Sequence, residues 1–241
     1  MLIKTKAIVL TSIKYGEADL IVKCLTEEGV KSYLLRSIFR SKSKKIKIGY
    51  FQALSLLDIS AIHNKQGNLN KITEARVSYL YKTLATDIFK QSIALFLAEV
   101  LAYSLREEEQ NELQFQFIEN SLIWLDNHDS FANFHLIFLF QLTKYLGFYP
   151  DVENADSEFF DLEEGTFHSL KPYRNFLSGK KLNLFKSIIG IKFDDMVQLK
   201  WNSESRQIVL DVLLDYYELH LPGFKKPRSL KVLKEVFNEI S

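Results

Sequence analysis

Lys4-Thr5-Lys6-Ala7-Ile8-Val9-Leu10-Thr11, then Lys14-Tyr15-Gly16-Glu17, then Ala18-Asp19-Leu20-Ile21-Val22-Lys23-Cys24-Leu25 is the stretch on which the fold turns. Its two flanks are rich in Ile, Val and Leu, and the glycine-bearing interruption has the composition of a hairpin turn. A second turn, Thr26-Glu27-Glu28-Gly29, leads into a strand over residues 30–36. After an interruption at 37–49, strand character returns over 50–59, and a short strand at 69–73 completes the series. Five short strands in about 75 residues predict a small closed barrel of the oligonucleotide/oligosaccharide-binding (OB) type. No proline precedes Pro150, so none interrupts these strands.

From Thr73 onward the period changes. Val77, Leu80, Tyr81 and Leu84 recur at helical spacing, and Asp87 is placed to cap a second helix carrying Ile88, Ile93, Leu95, Phe96, Val100 and Leu101. Further helices are predicted over 112–126 and 130–146, the latter closed by Gly147 and Pro150. Residues 151–164 read as an acidic loop, and no regular element is assigned from there to Glu204. Helices over 204–219 and 229–240 follow, joined by Leu221-Pro222-Gly223. The fold class is therefore α+β: an OB-type β-barrel over 1–75, then an α-helical domain over 76–241 that contains the acidic loop.

Charge is distributed unevenly. The net charge of +1 would by itself argue against a polyanionic partner, yet residues 1–80 hold 14 Lys and Arg against 6 Asp and Glu. The remainder holds 17 against 24, so only the first part is suited to a polyanion. No apolar run reaches the length of a membrane span, and the opening residues lack the apolar core of a signal peptide. One cysteine, Cys24, excludes an internal disulfide framework and a multi-cysteine zinc site. A cytoplasmic protein is expected.

The segment richest in chemistry is 29–57. It carries Lys31, Arg36, Arg40, Lys42, Lys44, Lys45 and Lys47 and no acidic residue, with Ser41 and Ser43 inside the densest part. Cations on flexible stems beside hydroxyls are what phosphate oxygens require. Tyr33, Phe39, Tyr50 and Phe51 flank the run, and aromatic faces beside a cationic groove hold unstacked bases in OB-type domains. The competing reading is a solvated loop whose aromatics belong to the core. A second basic cluster, Lys225, Lys226 and Arg228 with Lys231 and Lys234 beyond, is expected to meet DNA or an acidic partner peptide, or to be the solvated face of a terminal amphipathic helix.

Catalytic and metal signatures are missing from the pattern. Gly29-Val30-Lys31-Ser32 and Ser178-Gly179-Lys180 lack the spacing of a phosphate loop, and neither a His-Glu-x-x-His nor a Gly-x-Ser-x-Gly occurs. The acidic run has seven carboxylates but neither the ligand spacing nor the central glycine of a calcium loop. The histidines at 63, 128, 135, 168 and 220 are scattered, and Cys24 alternates with Leu20 and Val22 as a buried strand residue would. No catalytic residue, metal or cofactor is assigned. A protein-docking adaptor and a nucleic-acid enzyme remain as rivals to a DNA-binding protein; the enzyme would need carboxylates near the basic segment.

Several stretches together resemble the bacterial RecO family of DNA repair proteins. They are Lys6-Ala7-Ile8-Val9-Leu10, Tyr15-Gly16-Glu17-Ala18-Asp19, Leu25-Thr26-Glu27-Glu28-Gly29, Arg40-Ser41-Lys42-Ser43, Tyr145-Leu146-Gly147-Phe148-Tyr149-Pro150 and Leu219-His220-Leu221-Pro222-Gly223-Phe224 with Arg228-Ser229-Leu230. The resemblance implies an N-terminal OB domain and a helical C-terminal body. It also implies a recombination mediator that binds single- and double-stranded DNA, anneals complementary strands and helps to load RecA onto DNA coated by single-stranded-DNA-binding protein (SSB). The partners it implies are RecR, the acidic C-terminal tail of SSB and, indirectly, RecA, with a cytoplasmic, nucleoid-associated location. Many members hold zinc with four cysteines shortly after the Gly-Phe-x-Pro segment. This chain has none there, so zinc is not carried over.

Overall fold

The computed structural model describes residues 2–40, 46–64, 69–106 and 110–238. Two compact units divide the chain, Met1–Asn127 and His128–Ser241.

The first unit begins with strands β1 (Leu2–Tyr15), β2 (Asp19–Thr26), β3 (Gly29–Leu35), β4 (Leu56–Ile62) and β5 (Lys71–Tyr79), ordered β3-β2-β1-β4-β5 and antiparallel throughout. One face of this sheet buries Ala7, Val9, Leu20, Val22, Cys24, Tyr33, Leu57, Ile59 and Ile72 in a common core. The two edges do not pair along their length. They meet at one parallel bridge, Tyr33 with Asn70, where Leu34 N–H donates to the Asn70 carbonyl at 2.8 Å and Asn70 N–H to the Ser32 carbonyl at 2.9 Å. Among the described residues the sheet is thus not closed into the expected barrel, its edges touching at this one bridge, an arrangement still compatible with the OB type.

Register departs from the sequence expectation where tertiary contacts override local pattern. β1 runs four residues beyond Thr11 and consumes the front of the expected turn. β4 starts at Leu56 because a 3-10 turn (Ile48–Tyr50) and a bend occupy the residues before it. There Leu54 takes φ 58° and its N–H donates to the Val9 carbonyl at 2.7 Å. The helix expected from Val77, Leu80, Tyr81 and Leu84 does not exist. Val77 pairs with Leu57 and Tyr79 with Leu56 on β5, and the chain then turns. Irregularities in the β4–β5 ladder absorb the mismatch between its apolar spacing and a strict period of two.

Two helices complete the unit, α1 (Ile88–Ser104) and α2 (Glu112–Asn127). The expected Asp87 cap is present, its carboxylate accepting from Phe89 N–H at 2.8 Å and Lys90 N–H at 3.1 Å. Helix α1 packs on β1. The residues between β5 and α1 are held to the end of α2 by Asp126, whose buried carboxylate accepts from the backbone N–H groups of Lys82, Thr83 and Leu84.

The second unit is built round α3 (Phe134–Leu146), whose residues 134–140 are all buried, so it reads apolar on every side. Gly147, at φ 84°, ends it in the left-handed conformation expected of a C-terminal glycine. The acidic stretch is not wholly a loop, since its end forms β6 (Phe159–Asp161), which pairs with β7 (Thr166–His168) and β8 (Phe176–Leu177). Helices α4 (Gly179–Lys186), α5 (Ser203–His220) and α6 (Leu230–Asn238) follow. The small sheet is fastened by aromatic packing: Phe160 is fully buried, with ring centroids of Phe167 and Phe185 at 4.8 Å and Tyr216 at 6.0 Å. His220 stacks on Phe148 at 5.1 Å and donates from Nε2 to the Leu162 carbonyl at 2.8 Å.

Candidate nucleic-acid interface

The site grows from an irregularity in β1. Up to Val9 the odd-numbered residues face the core, and Val9 pairs with Cys24. A bulge between Val9 and Thr11 shifts the register, so Ser12 now lies opposite the core residue Val22 and Ile13 opposite Ile21. A one-residue bulge exchanges the faces of everything beyond it. Ser12 and Lys14 therefore take the core side, where Ser12 Oγ donates to the Phe51 carbonyl at 2.6 Å, and Ile13 and Tyr15 are sent outward. They are 62% and 58% exposed.

The hairpin tip carries the start of the basic segment. Ser37 N–H donates to the Asp19 carboxylate at 2.7 Å, and Phe39 N–H to the Ala18 carbonyl at 3.1 Å. Ser37, at φ 53°, turns the chain so that Arg40 meets the Glu17 carboxylate. Lys14 Nζ stands 5.4 Å from the Phe39 ring centre. Arg36, Phe39 and Arg40 are all exposed. Because the side chains of Arg40 and Glu17 are 68% and 86% exposed, their ion pair contributes at most about 1 kcal/mol and exchanges readily for a phosphate.

The remaining residues singled out in the sequence are not all in this place. Lys31 pairs opposite Cys24 near the other end of β3, about 17 Å of strand from Arg36, and its charge acts on His63. Burial holds the His63 imidazole below its ordinary value, Lys31 adding to that effect and Glu28 opposing it. Lys47 is exposed ahead of the 3-10 turn, its Nζ 5.9 Å from the Tyr50 ring centre. Lys42, Lys44 and Lys45 lie outside the described residues. Tyr33 and Phe51 are core residues, as the competing reading had it, and the Tyr33 hydroxyl lies 3.1 Å from His63 Nε2. Phe39, 44% exposed, and the half-buried Tyr50 are the aromatics left near the cations.

The sequence reading missed Glu17, Asp19, Lys14 and Tyr15, which precede the acid-free segment by 10 to 15 residues and join it only through folding. A groove of about 700 Å³ is a separate feature over β1, β4 and β5. Lys4, Lys6 and Arg76 alternate there with Glu27, Asp58 and Glu74, so it offers no excess of positive charge to a polyanion.

In the second unit, Lys226 is held by Asp215 at 2.7 Å and Glu218 at 3.3 Å, contacts that raise its pKa, while Lys225 and Arg228 are exposed. Among the described residues one group has three potential metal-ligand atoms within 4.8 Å of one another: Asp161, Glu164 and His168. Asp161 already accepts from the Glu163 and Glu164 N–H groups, and His168 Nε2 lies 2.8 Å from the Thr166 hydroxyl. A four-cysteine zinc site does not fit this chain, whose single cysteine is buried in β2 of the other unit.

An OB-type sheet with a basic connection starting at its hairpin tip, followed by a mainly helical unit, is the class of fold this chain forms. Family models give it a narrower place: "Recombination protein O N terminal" matches residues 1–81 and "Recombination protein O C terminal" matches 85–230. The chain belongs to the RecO family, whose role is in DNA repair and recombination. Similar relatives are the DNA repair protein RecO of Flavobacterium psychrophilum, 48% identical over 99% of this chain and all of the relative, and that of Flavobacterium johnsoniae, 49% identical over the same shares. The DNA repair protein RecO of Christiangramia forsetii is 44% identical over 98% of this chain and its own full length. No helix among the described residues is long and apolar enough to cross a membrane.

Proposed function

We propose that this protein is a recombination mediator that binds single- and double-stranded DNA, anneals complementary strands and helps to load RecA onto SSB-coated DNA. The observation that carries the reading is the basic connection after β3, which is pinned at its start to an exposed hairpin tip and carries Arg36 and Arg40 on its surface. Lys42, Lys44, Lys45 and Lys47 follow in sequence. Cations of this kind contact backbone rather than base edges, so sequence preference is slight. Neutralising phosphates on two strands lowers their repulsion and lets complementary bases meet. The mechanism needs no catalytic group and no metal. The test is annealing of complementary strands precoated with SSB: the protein accelerates it, and alanine at Arg36, Arg40, Lys42, Lys44, Lys45 and Lys47 abolishes the acceleration. Unchanged annealing by that variant would refute the assignment. RecR is the expected partner in loading, and the protein is expected in the cytoplasm with the nucleoid.

A docking role for the second unit has its own support. A cavity of about 290 Å³ is lined by Phe131, Val197, Leu199 and Phe237, with Arg206 and Asp129 among its walls. An apolar cavity with a guanidinium suits a short acidic peptide ending in an aromatic residue, the chemistry expected of the SSB tail. Lys225 and Arg228 offer further exposed cations. Titration with such a peptide separates the surfaces: Arg206→Ala weakens peptide binding and leaves DNA binding intact, or else Lys225→Ala with Arg228→Ala does.

A further inference from the structure

The bulge in β1 has placed an apolar strip where a soluble domain would ordinarily put polar residues. Ile13 and Tyr15 lie on the outer face of the β1–β2 hairpin, 62% and 58% exposed, with the half-buried Ile21 directly opposite Ile13. Without the bulge, Ile13 and Tyr15 would share the core face with Val9, and the outer surface would carry Ser12 and Lys14 instead. The turn that follows Tyr15 is tied to Ser37, Phe39 and Arg40, so the basic connection starts from the same hairpin tip. Duplex DNA presents phosphates and covered bases, and cations alone serve it. An exposed tyrosine on an apolar floor adds a face on which an unpaired base can stack.

We infer that the Ile13–Tyr15 strip is a base-stacking platform that makes this interface prefer single-stranded over duplex DNA. The inference rests on the proposed DNA-binding function, and it assigns Tyr15 the stacking contact and Ile13 its apolar floor. Arg36 and Arg40 hold the phosphates on either side of the stacked base. Arg40 exchanges Glu17 for one of them.

The test compares affinities of the full chain for an oligothymidine and for a duplex of equal length, in one buffer, for the wild type, Tyr15→Leu, Tyr15→Phe and Tyr173→Ala. Tyr173, 99% exposed in the second unit, controls for loss of a surface tyrosine. Tyr15→Leu is expected to weaken single-strand binding by about 5- to 150-fold, the range for loss of one base–aromatic stack, and to leave duplex binding unchanged. Tyr15→Phe and Tyr173→Ala are expected to bind as the wild type does. A 2-aminopurine in the oligonucleotide should be quenched by the wild type and by Tyr15→Phe but not by Tyr15→Leu. Equal losses for both DNA forms, or no loss, overturn the platform while leaving the DNA-binding function in place. Failure of the wild type to bind either DNA overturns both.

Discussion

Replacing Asp126 by alanine removes the acceptor that ties the β5–α1 connection to the end of α2. Its carboxylate is buried and accepts from Lys82 N–H at 3.0 Å, Thr83 N–H at 2.8 Å, Leu84 N–H at 2.9 Å and the Tyr79 hydroxyl at 3.1 Å. Nearby, the buried Lys90 donates from Nζ to Thr83 Oγ1 at 2.7 Å and to the Asp126 carbonyl at 3.3 Å. A hydrogen bond to a charged acceptor is worth about 1.5–3 kcal/mol net, and each donor left buried without a partner costs about 1–3 kcal/mol. These terms overlap, and the variant should lose about 3–5 kcal/mol, the range for breaking a buried charged contact by removing one side. Asp126→Asn keeps one acceptor oxygen and should lose about half as much. Burial alone would raise the Asp126 pKa, but the hydrogen bonds from Leu84, Lys82, Thr83 and Tyr79 outweigh it and hold the carboxyl below its ordinary value. A depressed carboxylate contributes stability that is fully present above the unfolded-state pKa, about 4, and is lost as pH falls through the folded value. The gap between wild type and Asp126→Asn should therefore be constant at neutral pH and narrow below about pH 4. The chain has two tryptophans, Trp124 in α2 and Trp201 in the second unit, so urea unfolding in a Trp201→Phe background reports the first unit alone. A loss under about 1 kcal/mol for Asp126→Ala, or a gap that widens in acid, would refute the reasoning.

Phe160→Ala should cost the second unit about 3–5 kcal/mol, read by Trp201 fluorescence in a Trp124→Phe background, because the residue is fully buried among Phe167, Phe185 and Tyr216. Excess EDTA should leave the unfolding midpoint of that unit where it was, since aromatic packing fastens the small sheet; a fall would indicate a metal. Cys24 is buried and its thiol is pushed up to about 12, so a thiol reagent at pH 8 should react only as the first unit unfolds. Glu17→Gln removes the carboxylate that competes with phosphate for Arg40 and should raise DNA affinity by up to about fivefold at low salt; a lowered affinity would count against Arg40 as a phosphate contact.

The elements most legible in the sequence are those with a strong composition and a clear boundary. Strands β1 to β3 are runs rich in Ile, Val and Leu parted by glycine-bearing turns, and α3 ends on the glycine and proline that mark its close. Failure came where spacing has two meanings. Val77, Leu80, Tyr81 and Leu84 satisfy a helical period, yet Val77 and Tyr79 are fixed by pairing with β4, a contact between distant parts of the chain. The small β6–β7–β8 sheet has strands of two or three residues, too short for any period to emerge. At the candidate interface, the composition of 29–57 singles out a segment but not its surroundings. The bulge that exposes Tyr15 and the turn that brings Glu17 to Arg40 both arise from register and tertiary contact, to which composition is blind. Tyr33 and Phe51 show the converse: aromatics beside a cationic run can simply fill the core.

The central claim is that the basic connection after β3 holds DNA by its phosphates. Its most direct test is the salt dependence of binding to a labelled oligothymidine, measured by fluorescence anisotropy for the wild type and for the Arg36→Ala, Arg40→Ala, Lys47→Ala triple variant. With about five phosphates engaged, log affinity should fall against log salt with a slope of about −3.5, and the variant's slope should be shallower by about 0.7 for each phosphate it no longer neutralises. A wild-type slope near zero, or a variant with undiminished slope and affinity, would contradict it.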